Sequence, residues 1–324
     1  MQWDQRIGHR LKLRDLQILL AVAQAGSMAK AGTRLAVSQP AISKAISAME
    51  HTFGVRLFER SPRGIEPTRY GRALIRRSTA VFDELRQGVK DIEFLSDPTV
   101  GEVRIGCTSP LAAGLVTEVI SRLSRDYPRI TFQLVENDPL LLLRELDERN
   151  VELVLARMPD GDLAEHMDVE IFYHDAFVVV AGAQNPWVRR RKVRLADLVD
   201  EPWALMPAET FTRSAVHEAF LAEGLEPPRR TVVTPSPGMR NSLLATGLFL
   251  STLPATALKF PSGFPAIKAL PVELPTTRRP VGLITLKNRS LSAVTQLFVD
   301  RTREVVQSIV GGKPAGTAQG RRRA

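Results

Sequence analysis

The chain has 324 residues and 44% apolar composition, enough for two or three compact globular units. Its net charge of +9 is uneven: residues 1–96 carry 16 Lys+Arg against 9 Asp+Glu, residues 97–312 carry 24 against 26, and the last twelve add four cations and no acid. A single cysteine, Cys107, excludes an intramolecular disulfide framework and a multi-thiolate metal site. No signal-peptide pattern or bilayer-length apolar run is present, so a soluble, cytoplasmic protein is expected.

The predicted elements begin at Leu13. From there to Ala25, Leu16, Leu19, Leu20 and Ala23 recur at helical spacing and stop at Gly26, a C-cap signal. Ser27 is read as the cap of a second helix, Met28 to Leu35, in which Gly32 costs about 1 kcal/mol relative to Ala, a cost that a close helix–helix crossing could offset. Ala36-Val37 form a turn, and Ser38 is read as the N-cap of a third helix with Pro40 in its first turn. Ile42, Ile46, Met49 and Phe53 make one apolar stripe. The other side carries Gln39, Pro40, Ser43, Lys44 and Ser47, with no carboxylate among them. A face built for solvent alone mixes Glu with Lys; an acid-free face suits a polyanion, although any helical protein can carry one amphipathic helix of this kind. Two short helices joined by a tight turn make a helix-turn-helix. The extended stretches Val55 to Arg60 and Ile65 to Pro67, joined by Ser61-Pro62-Arg63-Gly64, make a wing. Arg60 and Arg63 at its tip suit phosphate or a minor groove, although solvated arginines on a turn are common.

Thr68 caps a long predicted helix that runs to about Ser96 and ends at Ser96-Asp97-Pro98. Leu74, Ser78, Val81, Leu85, Gly88, Ile92 and Leu95 alternate 4-3 along it, a heptad seam that suggests a dimer contact. Beyond it, strand-like and helix-like segments alternate. Strands are expected at 103–106, 130–135, 151–156, 177–181, 203–206, 231–234, 249–250 and 281–286, and helices at 111–127, 140–149, 215–222, 239–245 and 292–310. This is an α/β pattern of βα units on a largely parallel sheet, in two sets with a late return, as in a two-lobed domain that clasps a ligand. The expected organisation is a DNA-binding domain at 1–68, a linker helix at 69–97, a ligand-binding domain at 98–311 and a disordered basic tail at 312–324.

Ser38-Gln39-Pro40-Ala41-Ile42-Ser43-Lys44, followed by Met49-Glu50, Gly54, Leu57-Phe58-Glu59-Arg60, Pro67-Thr68 and Gly71, resembles the DNA-binding half of LysR-type transcriptional regulators. Over residues 101–310 the likeness rests on element order and on Gly247-Leu248-Phe249-Leu250 leading to Pro254. The segments 10–16 and 83–88 look like the subgroup that regulates galactose-type sugar uptake. The resemblance implies a winged helix-turn-helix with linker helix, and a C-terminal two-lobed effector domain similar to periplasmic binding proteins. It also implies an antiparallel linker-helix dimer contact; a homodimer or homotetramer is expected on an interrupted palindromic promoter site in double-stranded DNA. By position, Gln39, Pro40, Ser43 and Lys44 match the family's DNA-contacting residues, and Lys44, often Arg in relatives, reads a guanine edge more loosely. The effector cleft maps onto Thr108 and Ser109 after the first strand, Asn137-Asp138 after the second, and Pro207 and the Ser236 to Met239 segment on the facing lobe. Ser109 either holds a ligand or merely caps a helix, and Asp138 in the cleft favours a sugar over an acid. The effector is expected to be a sugar or an organic or aromatic acid. No catalytic motif, cofactor signature or metal-spaced histidine pair occurs. The rival is a small-molecule-binding or enzymatic α/β protein whose N-terminal helices only dimerise.

Overall fold

The computed structural model describes residues 11–61, 64–159, 163–208, 210–260 and 266–310; Arg63 and the tail at 312–324 lie outside them, as does the side chain of Arg60. The chain divides into two compact units between Val89 and Lys90, inside a continuous helix.

In the first unit, α1 (Leu13–Ala25), α2 (Met28–Leu35) and α3 (Gln39–Phe53) pack around Leu19, Val22, Ala31, Ile42, Ile46 and Met49. Each ends on a left-handed residue, Gly26, Ala36 and Gly54. Ser27 and Ser38 occupy N-cap positions, but neither hydroxyl makes a capping bond. Gly32 serves a different approach from the expected crossing: a Cβ there would lie 2.6 Å from the Val37 carbonyl oxygen, so it lets the turn between α2 and α3 fold back on its own helix. The antiparallel hairpin of β1 (Phe58–Ser61) and β2 (Gly64–Pro67) follows. It is tied down by the Ile65 N–H donating to the Gly26 carbonyl at 3.0 Å and by Glu50 Oε1 accepting from the amides of Leu57 and Phe58 at 2.7 and 3.3 Å.

Thr68 Oγ1 accepts from the Gly71 amide at 3.1 Å and so caps α4 (Arg69–Ser96). The heptad seam divides. Leu74 packs into the N-terminal core and Ser78 is buried, whereas Val81, Leu85, Gly88, Ile92 and Leu95 are exposed along with Val89.

The second unit holds two five-stranded sheets. The first has the order β4-β3-β5-β12-β6, from β3 (Val100–Cys107), β4 (Arg129–Glu136), β5 (Leu153–Arg157), β6 (Met167–Asp175) and β12 (Arg279–Leu286). The second has the order β11-β7-β10-β8-β9, from β7 (Phe177–Gly182), β8 (Trp203–Leu205), β9 (Thr231–Val233), β10 (Leu250–Pro254) and β11 (Ile267–Glu273). Each sheet is mixed and not largely parallel: β12 runs antiparallel to β5 and β6, and β7 runs antiparallel to β10 and β11. The reason is topological. The chain leaves the first sheet after β6 and returns to it as β12, so each sheet receives strands from both directions.

α5 starts as Ser109–Leu111, passes through a π segment at Ala112–Val116 and resumes as Thr117–Asp126. With α9 (Ala293–Val310) it covers one face of the first sheet through Leu115, Val119, Phe298 and Val305. α6 (Pro139–Asp147) covers the other through Leu142 and Leu146. In the second sheet α7 (Phe211–Ala222) sets Phe220 edge-on to Trp203 at 5.7 Å, and α8 (Pro237–Ala245) buries Leu244. The two crossings between sheets, at Ala176 and at 274–278, are stitched together. The Phe177 amide donates to Thr277 Oγ1 at 3.1 Å, Arg157 Nη2 donates to the Thr277 carbonyl, and the Arg157 guanidinium lies 4.2 Å above the Phe177 ring.

Candidate functional sites

On α3 the buried Ile42, Ile46 and Met49 fix which residues face out: Gln39, Pro40, Ser43, Lys44 and Ser47, with Ser38 just before them, are all exposed. The period of the helix does this work. A groove of about 820 Å³ runs between the start of α2, this face and the hairpin, lined by Ser27, Gln39, Ser43, Ser47 and Arg56. Glu50 also reaches it, but its carboxylate is engaged by two backbone amides of the approach to β1. Glu50 therefore positions the wing against the helix, a role not read from the sequence. Glu50 four residues before a glycine C-cap is the signal that was there to find. Arg60 is a β1 residue opposite Ile65 in β2.

The second unit has a cleft of about 660 Å³ between its two sheets. Thr108, Ser109, Asn137, Asp138 and Pro207 line it. Thr108, and not Ser109, holds the N-cap position of α5, and neither hydroxyl is engaged among the described residues. Asp138 is N-cap of α6 and accepts from the Leu140 amide at 3.3 Å. Ser236 and Met239 stand beside the lining and not in it: the Ser236 hydroxyl accepts from the Met239 amide at 3.2 Å, capping α8. The helical turn presents Arg240 instead, with Pro235 and Pro237. Thr210, Thr212, Thr252, Met206 and Phe177 complete the facing wall. Arg240 is the member sequence reasoning missed; its signal is a cation in an α8 sequence that is otherwise neutral.

Cys107 closes β3 with no exposure, and burial pushes its thiol up to about 12, with the negative charge of Glu136 adding to the shift. Among the described residues no group of three or more His, Cys, Asp or Glu could hold a metal ion, and no helix is long and apolar enough to cross a membrane.

Comparison with known proteins gives these surfaces a family. The model described as "Bacterial regulatory helix-turn-helix protein, lysR family" matches residues 13–72, and that described as "LysR substrate binding domain" matches residues 96–307. The transcriptional regulator GbpR of Azospirillum brasilense is 30% identical over 87% of this chain and 83% of its own length. PcaQ of Agrobacterium fabrum is 27% identical over 96% and 100%. Among solved structures, full-length OxyR from Pseudomonas aeruginosa shares the fold with a TM-score of 0.63 at 21% identity, covering 92% of this chain and 95% of that one. Full-length CbnR in complex with its target DNA gives 0.61 at 21% identity, covering 91% and 100%. The chain belongs to the LysR family: it is a DNA-binding transcriptional regulator with an effector-binding domain, and not an enzyme.

Proposed function

We propose that Ser38, Gln39, Pro40, Ser43, Lys44 and Ser47 are the residues that meet DNA, with Arg60 and Arg63 contributing from the wing. LysR regulators bind promoter DNA and small-molecule effectors and form oligomers. In this reading α3 lies in the major groove, and a homodimer, pairing into a tetramer, spans an interrupted palindrome in the cytoplasm. The observation that carries it is the exposed, acid-free face of α3 set opposite its buried stripe and beside the hairpin that holds Arg60. The effector enters the cleft at Thr108, Ser109, Asn137, Asp138 and Pro207, with the Ser236 to Met239 segment bordering it, and changes the spacing of the DNA-binding units.

Operator binding by gel shift tests this. Ser43→Ala with Lys44→Ala is expected to abolish specific binding while light scattering shows the oligomer unchanged. Phosphate contacts also require affinity to fall steeply between 50 and 200 mM salt, roughly a thousandfold or more if six or more phosphates are contacted. Retained binding by the double variant refutes the assigned face, and a flat salt response refutes DNA contact through phosphates.

A further inference from the structure

Arg240 is a buried cation on the wall of the cleft. It is 7% exposed, it lines the cleft, and its Nε finds no hydrogen-bond partner. Among the described residues no carboxylate pairs with its guanidinium and no carbonyl accepts from it. Burial alone lowers its pKa, with no acidic neighbour to raise it again. A largely buried guanidinium without a counter-charge is costly to hold, because its Nε is withdrawn from water without a replacement partner. The contrast is with Arg157, also buried and also bordering the cleft floor. Arg157 donates to the Thr277 carbonyl, stacks on Phe177 and has Asp175 as a compensating charge. Arg289, a third buried arginine, donates to the Val151 carbonyl. Arg240 alone of these three faces an opening with nothing on the protein side to satisfy it.

The other wall of the cleft has the opposite character. Glu136 and Asp138 line it from the first sheet, beside the unengaged hydroxyls of Thr108 and Ser109. A ligand lying across the cleft therefore meets acceptors and hydroxyls on one side and a bare cation on the other. Arg144 lines the cleft as well, but it is exposed.

We infer that the effector is a hydroxylated organic acid, its carboxylate docked on Arg240 and its hydroxyls turned toward Thr108, Ser109 and Asp138. This rests on the reading of the cleft as the effector site. It reverses the preference for a neutral sugar that Asp138 alone suggests, because Asp138 and Arg240 stand on different walls and act on different ends of the ligand. Guanidinium and carboxylate match as planar, bidentate partners, which makes the acid the better complement to this residue than a hydroxyl alone.

The test uses the full-length protein and matched pairs of probes differing in the acid group, gluconate against glucose and benzoate against benzyl alcohol, with chloride added to equalise ionic strength. Melting temperature is read for the wild type, Arg240→Met, Arg144→Gln and Thr108→Trp, the last of which fills the cleft. Gluconate is expected to raise the wild-type Tm by several degrees when present at about a hundredfold excess over its Kd. Glucose, benzoate and benzyl alcohol should each do less, because they lack either the acid or the hydroxyls. The gluconate shift should vanish in Arg240→Met and Thr108→Trp and survive in Arg144→Gln. Independently of any probe, Arg240→Met should itself melt higher than the wild type, since it removes an uncompensated buried charge without a packing void. Equal response to gluconate and glucose, a gluconate shift that persists in Arg240→Met, no gluconate shift in the wild type, or a lower Tm for Arg240→Met each overturns the inference. A shift that persists in Arg240→Met but is lost in Thr108→Trp leaves the cleft standing as the effector site; persistence in both removes the cleft as well.

Discussion

Cys107 stands at the mouth of the cleft in sequence but not in chemistry. Its thiol is buried and held neutral, so at pH 8 it carries about a thousandfold less thiolate than an ordinary cysteine whose pKa is 9.0. Labelling with a thiol-reactive disulfide reagent is expected to be negligible in the folded protein and complete in urea. Rapid labelling of the native state would show that the thiol is neither buried nor held neutral. Tyr173, raised to about 12 chiefly by burial, acts in the same direction. Both groups are acids whose folded pKa lies above the unfolded one. The folded state therefore holds protons that the unfolded state gives up above pH 9 for Cys107 and above pH 10 for Tyr173. Their contribution to stability is whole below pH 9 and is lost as pH rises to about 12. Urea midpoints should fall across that window, and less steeply in a Cys107→Ala variant.

Among the elements, Glu152 shows what joins the end of α4 to the first sheet. It is fully buried, and it accepts from Lys90 Nζ at 3.1 Å, the Arg104 amide at 3.0 Å and Thr295 Oγ1 at 3.1 Å. One carboxylate thus links α4, β3 and α9. Glu152→Gln keeps the shape but leaves the Lys90 ammonium, 11% exposed, without its buried counter-charge. The expected cost is about 3–5 kcal/mol in urea unfolding, partly recovered when Lys90→Met is added. Equal midpoints for wild type and Glu152→Gln would show that the network contributes nothing. The helices of the first unit are legible in the sequence because Gly26, Gly54 and Pro40 mark their ends and their apolar residues keep one period. β6 and β11 are not. β6 places Asp168, Glu170 and His174 on a strand whose outer face also exposes Val169 and Ile171, so no clean alternation survives. β11 contains Pro271, which only an edge strand tolerates, and its pairing to β7 shifts register around that residue. The lobe walls were legible where a loop follows a strand, at Thr108 and Asn137. Arg240 was not, since which side of α8 faces the cleft depends on a cap that the sequence alone does not fix.

At the scale of the whole molecule, α4 carries a run of exposed apolar side chains: Val81, Leu85, Val89, Ile92 and Leu95, with Ile92 66% and Leu95 81% exposed. Burying such a side chain fully is worth roughly 1.5–3 kcal/mol, so a helix pair burying several of them twice over has ample driving force to associate. Leu85→Glu with Ile92→Glu is expected to convert the oligomer to a smaller species by light scattering and to weaken operator binding at least tenfold through lost avidity. An unchanged mass would place the oligomer contact elsewhere.

The stitched crossings at Ala176 and 274–278 give the effector domain a mechanical character. Two strands pass side by side there, cross-linked through Thr277 to Phe177 and Arg157, so the sheets are joined at adjacent, mutually bonded points. A joint of this kind would concentrate a ligand-driven approach of the walls into a change of the angle between the sheets. If the effector occupies the cleft as proposed, what fits between Thr108 and Arg240 sets how far the walls close.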